Sequence, residues 1–251
     1  MKNYFDNNRL LLNPKKTEVI IFDSKSGNKL SESINILDST IPLTNTVKIL
    51  GLSVQNDLKW KAHIESMIRN LQYRVGILKR LRPILTQKQL ETIAQGLIVS
   101  KLRYGLSVYS SLRFTESDGS SKESQKIQVL LNDVMRTLKG AKRKDKLHIE
   151  DLIREFPWGS YNRMALKTQI CDIWKFINSS HRLSQTITTE YSRNTRAQQL
   201  GLLKPTSKHP SDVIKNFMHF YNNYLIANIK GTETLKDIKL LIDKNLGKFP
   251  I

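Results

Sequence analysis

A single cysteine in 251 residues, Cys171, leaves no material for an internal disulfide framework or a cysteine-cluster zinc site. It reads as a buried, inert thiol. Long apolar runs are missing as well. No stretch of about 18 apolar residues is available to span a bilayer, and Met-Lys-Asn-Tyr-Phe-Asp at the N-terminus lacks the apolar segment of a signal peptide. The chain is therefore expected to be nuclear or cytoplasmic, not secreted, and without a membrane partner. Acidic residues are scarce, 22 against 41 basic ones. No two aspartates are adjacent; Glu150-Asp151 is the sole neighbouring acidic pair, and Asp6, Asp23, Asp38 and Asp57 are scattered over turns and a helix. No His-x-x-x-His, P-loop or Ser-His-Asp arrangement offers another chemistry, so no metal site is expected and no catalytic residue is assigned.

What remains is a chain long enough to bury a core, 39% hydrophobic, with a formal net charge of +19. Such a charge favours a polyanionic partner, because every phosphate neutralised releases counterions. The alternative is a fragment whose acidic partner surface lies elsewhere.

Residues 1–13 read as helical with Tyr4, Phe5, Leu10 and Leu11 on one face, stopping at Asn13 because a residue before proline is pushed out of helical space. Thr17–Phe22 is rich in β-branched and aromatic residues and reads as a strand. Ser24–Asn28 reads as a turn. Ile34–Leu37 and Val47–Leu50 read as two short strands joined through Pro42 in a hairpin, and an Asn56-Asp57 turn follows. From Lys59 the apolar period becomes helical: Ile64, Met67, Ile68, Leu71, Val75 and Leu78 form one stripe that Pro83 ends. Thr86 with Gln89 forms a capping-box pattern, opening a second helix toward Tyr104.

Residues 115–124 read as a flexible break. A third helix contains Ile127–Leu138, with Gly140 beyond its end. Ala141–Lys146 is a basic loop open to three readings: phosphate contact, nuclear localisation signal or solvated loop. A short helix ends at Pro157, a long one follows Ser160 with Trp174 on its apolar side, and 178–212 is irregular. Val213–Ile229 and Leu235–Leu246 complete a helical C-terminal part. The fold class is α+β, mostly α: a small β-hairpin segment (1–57), a helical pair (58–114) and a helical extension (125–251).

The helical pair stands out electrostatically. Lys59 to Arg113 holds eleven basic residues opposed only by Glu65 and Glu91, a net of +9. A solvated helix face normally mixes signs, so this imbalance suits a surface that follows phosphates.

Two stretches, in this order, resemble a known family. Leu10-Leu-Leu-Asn13-Pro-Lys-Lys16-Thr17 runs into Glu18–Phe22. Leu50-Gly51 is then followed by Leu58, Trp60 and His63. Together they resemble the end of the palm and the start of the thumb in reverse transcriptases of non-LTR (LINE-like, jockey-like) retrotransposons. Tyr104-Gly105, Thr195-Arg196 and Phe220–Asn222 also look like the family, although Leu225-Ile226 stands where many relatives continue into Leu-Pro. The resemblance implies an RNA-directed DNA polymerase whose partners are an RNA template and a DNA primer, or duplex nucleic acid. It places Lys16 near the incoming nucleotide as an accessory cation, where it could steady the departing pyrophosphate. It also makes the hairpin around Leu50-Gly51 a grip on the primer terminus, with Gly51 allowing close backbone approach. Lys48, Gly51, Lys61, Arg69, Arg74, Lys79 and Arg80 are the candidate nucleic-acid contacts.

The family's polymerase centre uses magnesium held by carboxylates from an earlier palm strand and an aromatic-x-Asp-Asp turn. This sequence has no counterpart of either, so no cofactor is expected for the isolated chain, and the N-terminal palm and fingers are expected to be missing. The reading is a truncated reverse transcriptase that keeps its holding parts. The alternative is a non-catalytic basic nucleic-acid-binding module, or a non-functional remnant of a mobile element.

Overall fold

The computed structural model describes residues 4, 7–9, 13–22, 33–36, 39–110, 122–142, 144–179, 187–188, 202–206, 212–226 and 234–246. Its contacts divide the chain into two units, Met1–Met67 and Ile68–Ile251. The fold is mostly helical, with small antiparallel hairpins toward the N-terminus.

In the first unit, Asn13 caps a 3-10 turn, Pro14–Lys16, by accepting the Lys15 N–H on its side chain at 3.1 Å. The Thr17 hydroxyl donates to the Asn13 carbonyl at 2.9 Å. The Asn-Pro-Lys-Lys-Thr run thus forms a locally specified turn, with proline at a position that needs no N–H. Upstream, Tyr4 and Asn7 are helical, while most of 1–12 lies outside the described residues, as does the expected turn at 24–28.

The expected strand over Thr17–Phe22 does not form. Its described backbone makes an isolated parallel bridge, Val19 to Leu43. Strand propensity alone is a weak preference, and a strand persists only where a neighbour completes its ladder.

The hairpin pairing also differs from expectation. Strand β1 (Ser33–Ile36) pairs with β2 (Ser39–Pro42), and β3 (Thr46–Ile49) pairs with β4 (Leu52–Gln55), so Ile34 faces Ile41 and Val47 faces Val54. Each strand closes on its nearest neighbour in sequence, which costs less loop entropy than a longer connection through Pro42. Leu50 and Gly51 form the tip of β3–β4 with φ of 47° and 84°. Two positive φ values suit the mirror-image turns that match strand twist, and this is the local reason for glycine at 51.

Strand β4 anchors the next element, α1 (Lys61–Leu81). The Gln55 carboxamide oxygen accepts the Ala62 N–H at 3.0 Å, satisfying one of the orphan donors of the first turn. His63 Nδ1 accepts the Ser53 N–H at 3.3 Å, and the Trp60 ring meets the His63 ring edge-on at 6.2 Å. His63 is therefore a packing and bonding residue of this corner. The unit boundary falls inside α1, whose stripe of Ile64, Met67, Leu71, Val75 and Leu78 is buried as the periodicity requires.

In the second unit, α2 (Gln87–Ala94) opens on the complete Thr86–Gln89 capping box. It widens into a π-turn, Gln95–Val99, and continues as α3 (Ser100–Arg103). Gly105 at φ 67° permits the reversal into α4 (Leu106–Tyr109). The break expected at 115–124 lies largely outside the described residues.

Helices α5 (Lys122–Lys139), α6 (Ile149–Glu155) and α7 (Tyr161–Ile177) follow, with Ser160 capping α7 by accepting the Arg163 N–H. A two-residue pairing of β5 (Ile187–Thr188) with β6 (Lys204–Pro205) precedes α8 (Asp212–Phe220). The helix expected over 213–229 becomes a π-turn at Tyr221–Leu225, and α9 (Leu235–Leu246) closes the described chain.

Leu166, Ile170, Phe217, Phe220, Ile238 and Ile242 share one core, with Trp174 packed against it and Cys171 buried within it. A polar network crosses this unit. Gln169 donates to Ser110 Oγ at 2.8 Å and accepts from Asn216 at 3.0 Å, all three buried and mutually satisfied. Among the described residues, no helix is long and apolar enough to cross a membrane.

Candidate functional site

The candidate residues of the first unit are all exposed. Lys16 ends the Asn13-capped turn, Lys48 stands opposite Ser53 on β3, Gly51 is at the hairpin tip and Lys61 begins α1. Beside Gly51, Leu50 is 84% exposed and Ile49 is 49% exposed, so the tip presents an apolar point to solvent. The sequence pattern did not single out that point, because strand residues of this type usually face inward.

In the second unit the four α1 cations separate into two kinds. Arg74 is half-buried, and its guanidinium donates to the Leu97 carbonyl at 2.5 Å, within the π-turn after α2. A widened turn displaces carbonyls from the regular ladder, and Arg74 supplies a donor to one of them. Lys79 Nζ lies 2.8 Å from Asp133 Oδ2 on α5. Both residues tie α1 to its neighbours.

Arg69 and Arg80 are exposed and have neither a hydrogen bond nor an ion pair among the described residues. At about 100° per residue, Arg69, Tyr73, Gly76 and Arg80 fall on one face of α1, opposite Leu71, Val75 and Leu78. Tyr73 is 73% exposed, and nothing lies within 4 Å of where a Gly76 side chain would begin. The face is thus an open strip with a guanidinium near each end, a phenol between them and bare backbone beside it. Arg69 and Arg80 are separated by about 16 Å along the axis at 1.5 Å per residue, or roughly five base-pair rises of 3.4 Å.

Charge patterning does not mark Tyr73 in the sequence. Its position off the apolar stripe was the available signal. A second exposed aromatic, Tyr104, lies under Lys101 Nζ at 5.9 Å from the ring centre, a cation–π arrangement near the end of α3.

The acidic residues of the two helices and their surroundings are committed to structure. Glu91 accepts from the Trp158 indole at 3.0 Å and from Gln95 at 3.1 Å. Asp57 accepts the Lys59 N–H at 2.9 Å, and that bond is the main reason its carboxyl is held below the usual range. Asp151, of the one adjacent acidic pair, bonds Arg154 at 3.2 Å. No three His, Cys, Asp or Glu side chains converge on a metal-sized space among the described residues. Among the described residues there is thus no carboxylate set that fits the magnesium pair implied by the family resemblance. Burial pushes the Cys171 thiol up, consistent with its place in the core.

Compared with known protein families, with curated proteins and with solved structures, the chain gives no match.

Proposed function

We propose that these residues are a nucleic-acid-holding part of an RNA-directed DNA polymerase of the non-LTR retrotransposon kind. The β3–β4 hairpin would meet the primer terminus and α1 would follow the primer–template backbone. Residues outside this sequence would supply the metal-bound chemistry. Lys16 would act as the accessory cation, by resemblance alone.

The observation that supports the reading most is the Arg69–Tyr73–Gly76–Arg80 strip. Its two guanidiniums are exposed and have no partner among the described residues, while Arg74 and Lys79 on either side are held by neighbours. An arginine with no protein partner keeps all its donors for phosphate oxygens, and a phosphate-only interface has little sequence preference. The want of a carboxylate set favours the second reading, a non-catalytic basic binding module.

The test is a salt titration of binding to a primer–template duplex, read by fluorescence anisotropy. R69A/R80A should lower the slope of log affinity against log salt by about one per lost phosphate contact. K236A/K244A removes two exposed charges from α9 and should leave that slope nearly unchanged. Equal slopes in the two variants would refute the α1 assignment. The polymerase reading separates from the binding-module reading in a second assay. The chain alone should incorporate no deoxynucleotide, and a polymerase palm carrying the metal-binding carboxylates, supplied in trans, should restore extension. Binding without any such rescue would leave only the module.

A further inference from the structure

A cleft of about 400 Å³ opens at the C-terminal end of α1. Lys79 and Arg82 form one wall, from α1 and the turn after it. Asp133 and Thr137 of α5 form the other, and Gly140–Lys142 closes the end. The charges inside it do not cancel. Asp133 is taken by Lys79 at 2.8 Å, and the Thr137 hydroxyl is turned onto the Asp133 carbonyl at 2.7 Å. That leaves Arg82 and Lys142. The Arg82 Nε–H is buried with no hydrogen-bond partner, and the Lys142 side chain is exposed with none among the described residues.

The backbone keeps Arg82 at the cleft. Gly140, at φ 73°, follows the α5 C-terminus, and a Cβ there would come within 2.9 Å of the Arg82 guanidinium. Two carbonyls at that helix end are already served, since Gly140 N–H donates to Thr137 and Ala141 N–H to Arg136. The negative end of the helix dipole lies on the same side as the Arg82 charge. A buried donor without an acceptor is costly and calls for a partner.

We infer that this cleft is a phosphate-binding site, in which Arg82 and Lys142 grasp a phosphoryl group beside the Lys79–Asp133 pair. The group is either an internal phosphodiester or a terminal phosphate of a nucleic acid. That choice of source rests on the proposed function, whereas the phosphate chemistry does not. The site extends the sequence's basic-loop reading: among three possibilities for that loop, Lys142 takes the phosphate contact.

The experiment uses the full chain, with inorganic phosphate exchanged for chloride at constant ionic strength. Saturable shifts of the Ala141 and Lys142 amide resonances are expected. K142Q, a loop change that touches no packing, should weaken phosphate binding by roughly tenfold, the scale of one charge-assisted bond. R82Q should abolish it, and the K142Q result stands even if R82Q loses its fold. Duplexes with and without a 5′-phosphate then identify the source. Tighter binding of the phosphorylated duplex, lost in K142Q, assigns a terminal phosphate. Equal binding of both, weakened alike in K142Q, assigns an internal one. Linear, unsaturable shifts with inorganic phosphate, together with duplex binding indifferent to K142Q, would overturn the site while leaving the α1 strip intact. Saturable phosphate binding with no duplex binding would keep the site and sink the proposed function instead.

Discussion

Arg69 and Arg74 stand on the same helix in different surroundings, and their charges are put to different use. Arg74 covers part of its stem and gives its guanidinium to the Leu97 carbonyl, so removing it leaves a π-turn acceptor without that donor. Arg69 has no such bond among the described residues. Arg74→Ala should cost about 1.5–3 kcal/mol of stability, the range for hydrogen bonds to charged groups. Arg69→Ala should stay within about 0.5 kcal/mol, as exposed changes away from special features do. Urea denaturation of both variants measures the difference, and equal midpoints would mean that the Arg74 bond contributes nothing. The helical pattern of α1 placed both residues off the apolar stripe. It could not distinguish them, because Leu97 is brought to Arg74 by the packing of two helices. The same holds for Arg82, whose neighbour Gly140 is remote in sequence.

Helices were more legible than hairpins, and the reason lies in where their specifying contacts fall. The Thr86–Gln89 capping box closes within one turn, and the buried stripe of α1 is set by i, i+3 and i+4 neighbours, so both could be read from the chain. The pairing of β1 with β2 and of β3 with β4 depended on which strand met which, and Thr17–Phe22 had the propensity without the partner. The π-turns at Gln95–Val99 and Tyr221–Leu225 left no mark in the periodicity, since one wide turn hardly shifts the apolar stripe. The hairpin has a dynamic consequence. A two-stranded ribbon is marginal by itself, and β3–β4 also holds Leu50 at φ 47°, where a branched side chain is strained by roughly 1–2 kcal/mol. Its amides should exchange with deuterium faster than those of Leu71–Leu78 in α1. Leu50→Gly should slow hairpin exchange by relieving the strain. Protection equal to that of α1, or faster exchange in the variant, would show that the tip is not the weak point.

At the scale of the whole chain, a net charge of +19 acts on the protein itself as well as on any partner. Like charges repel and destabilise the compact state. Pairs such as Lys79–Asp133, Lys139–Glu155 and Lys167–Asp243 engage some of the acids without balancing the excess. Salt screens this repulsion, the Debye length shrinking from about 30 Å at 0.01 M to about 8 Å at 0.15 M. The melting temperature of the free chain should therefore rise with salt. Bound duplex reverses the sign: it stabilises by mass action, and its affinity falls as salt rises. With duplex in excess, melting should start higher at low salt and drop toward the free-chain curve as salt is added. The paired variants separate overall charge from the α1 strip. Without duplex, R69A/R80A and K236A/K244A should each gain slightly at low salt, because either change lowers the repulsion. With duplex, K236A/K244A should keep most of the stabilisation and R69A/R80A should lose most of it. Variants that behave alike in both arms would leave net charge as the sole cause, and the Arg69–Arg80 face would be an ordinary solvated side of a helix.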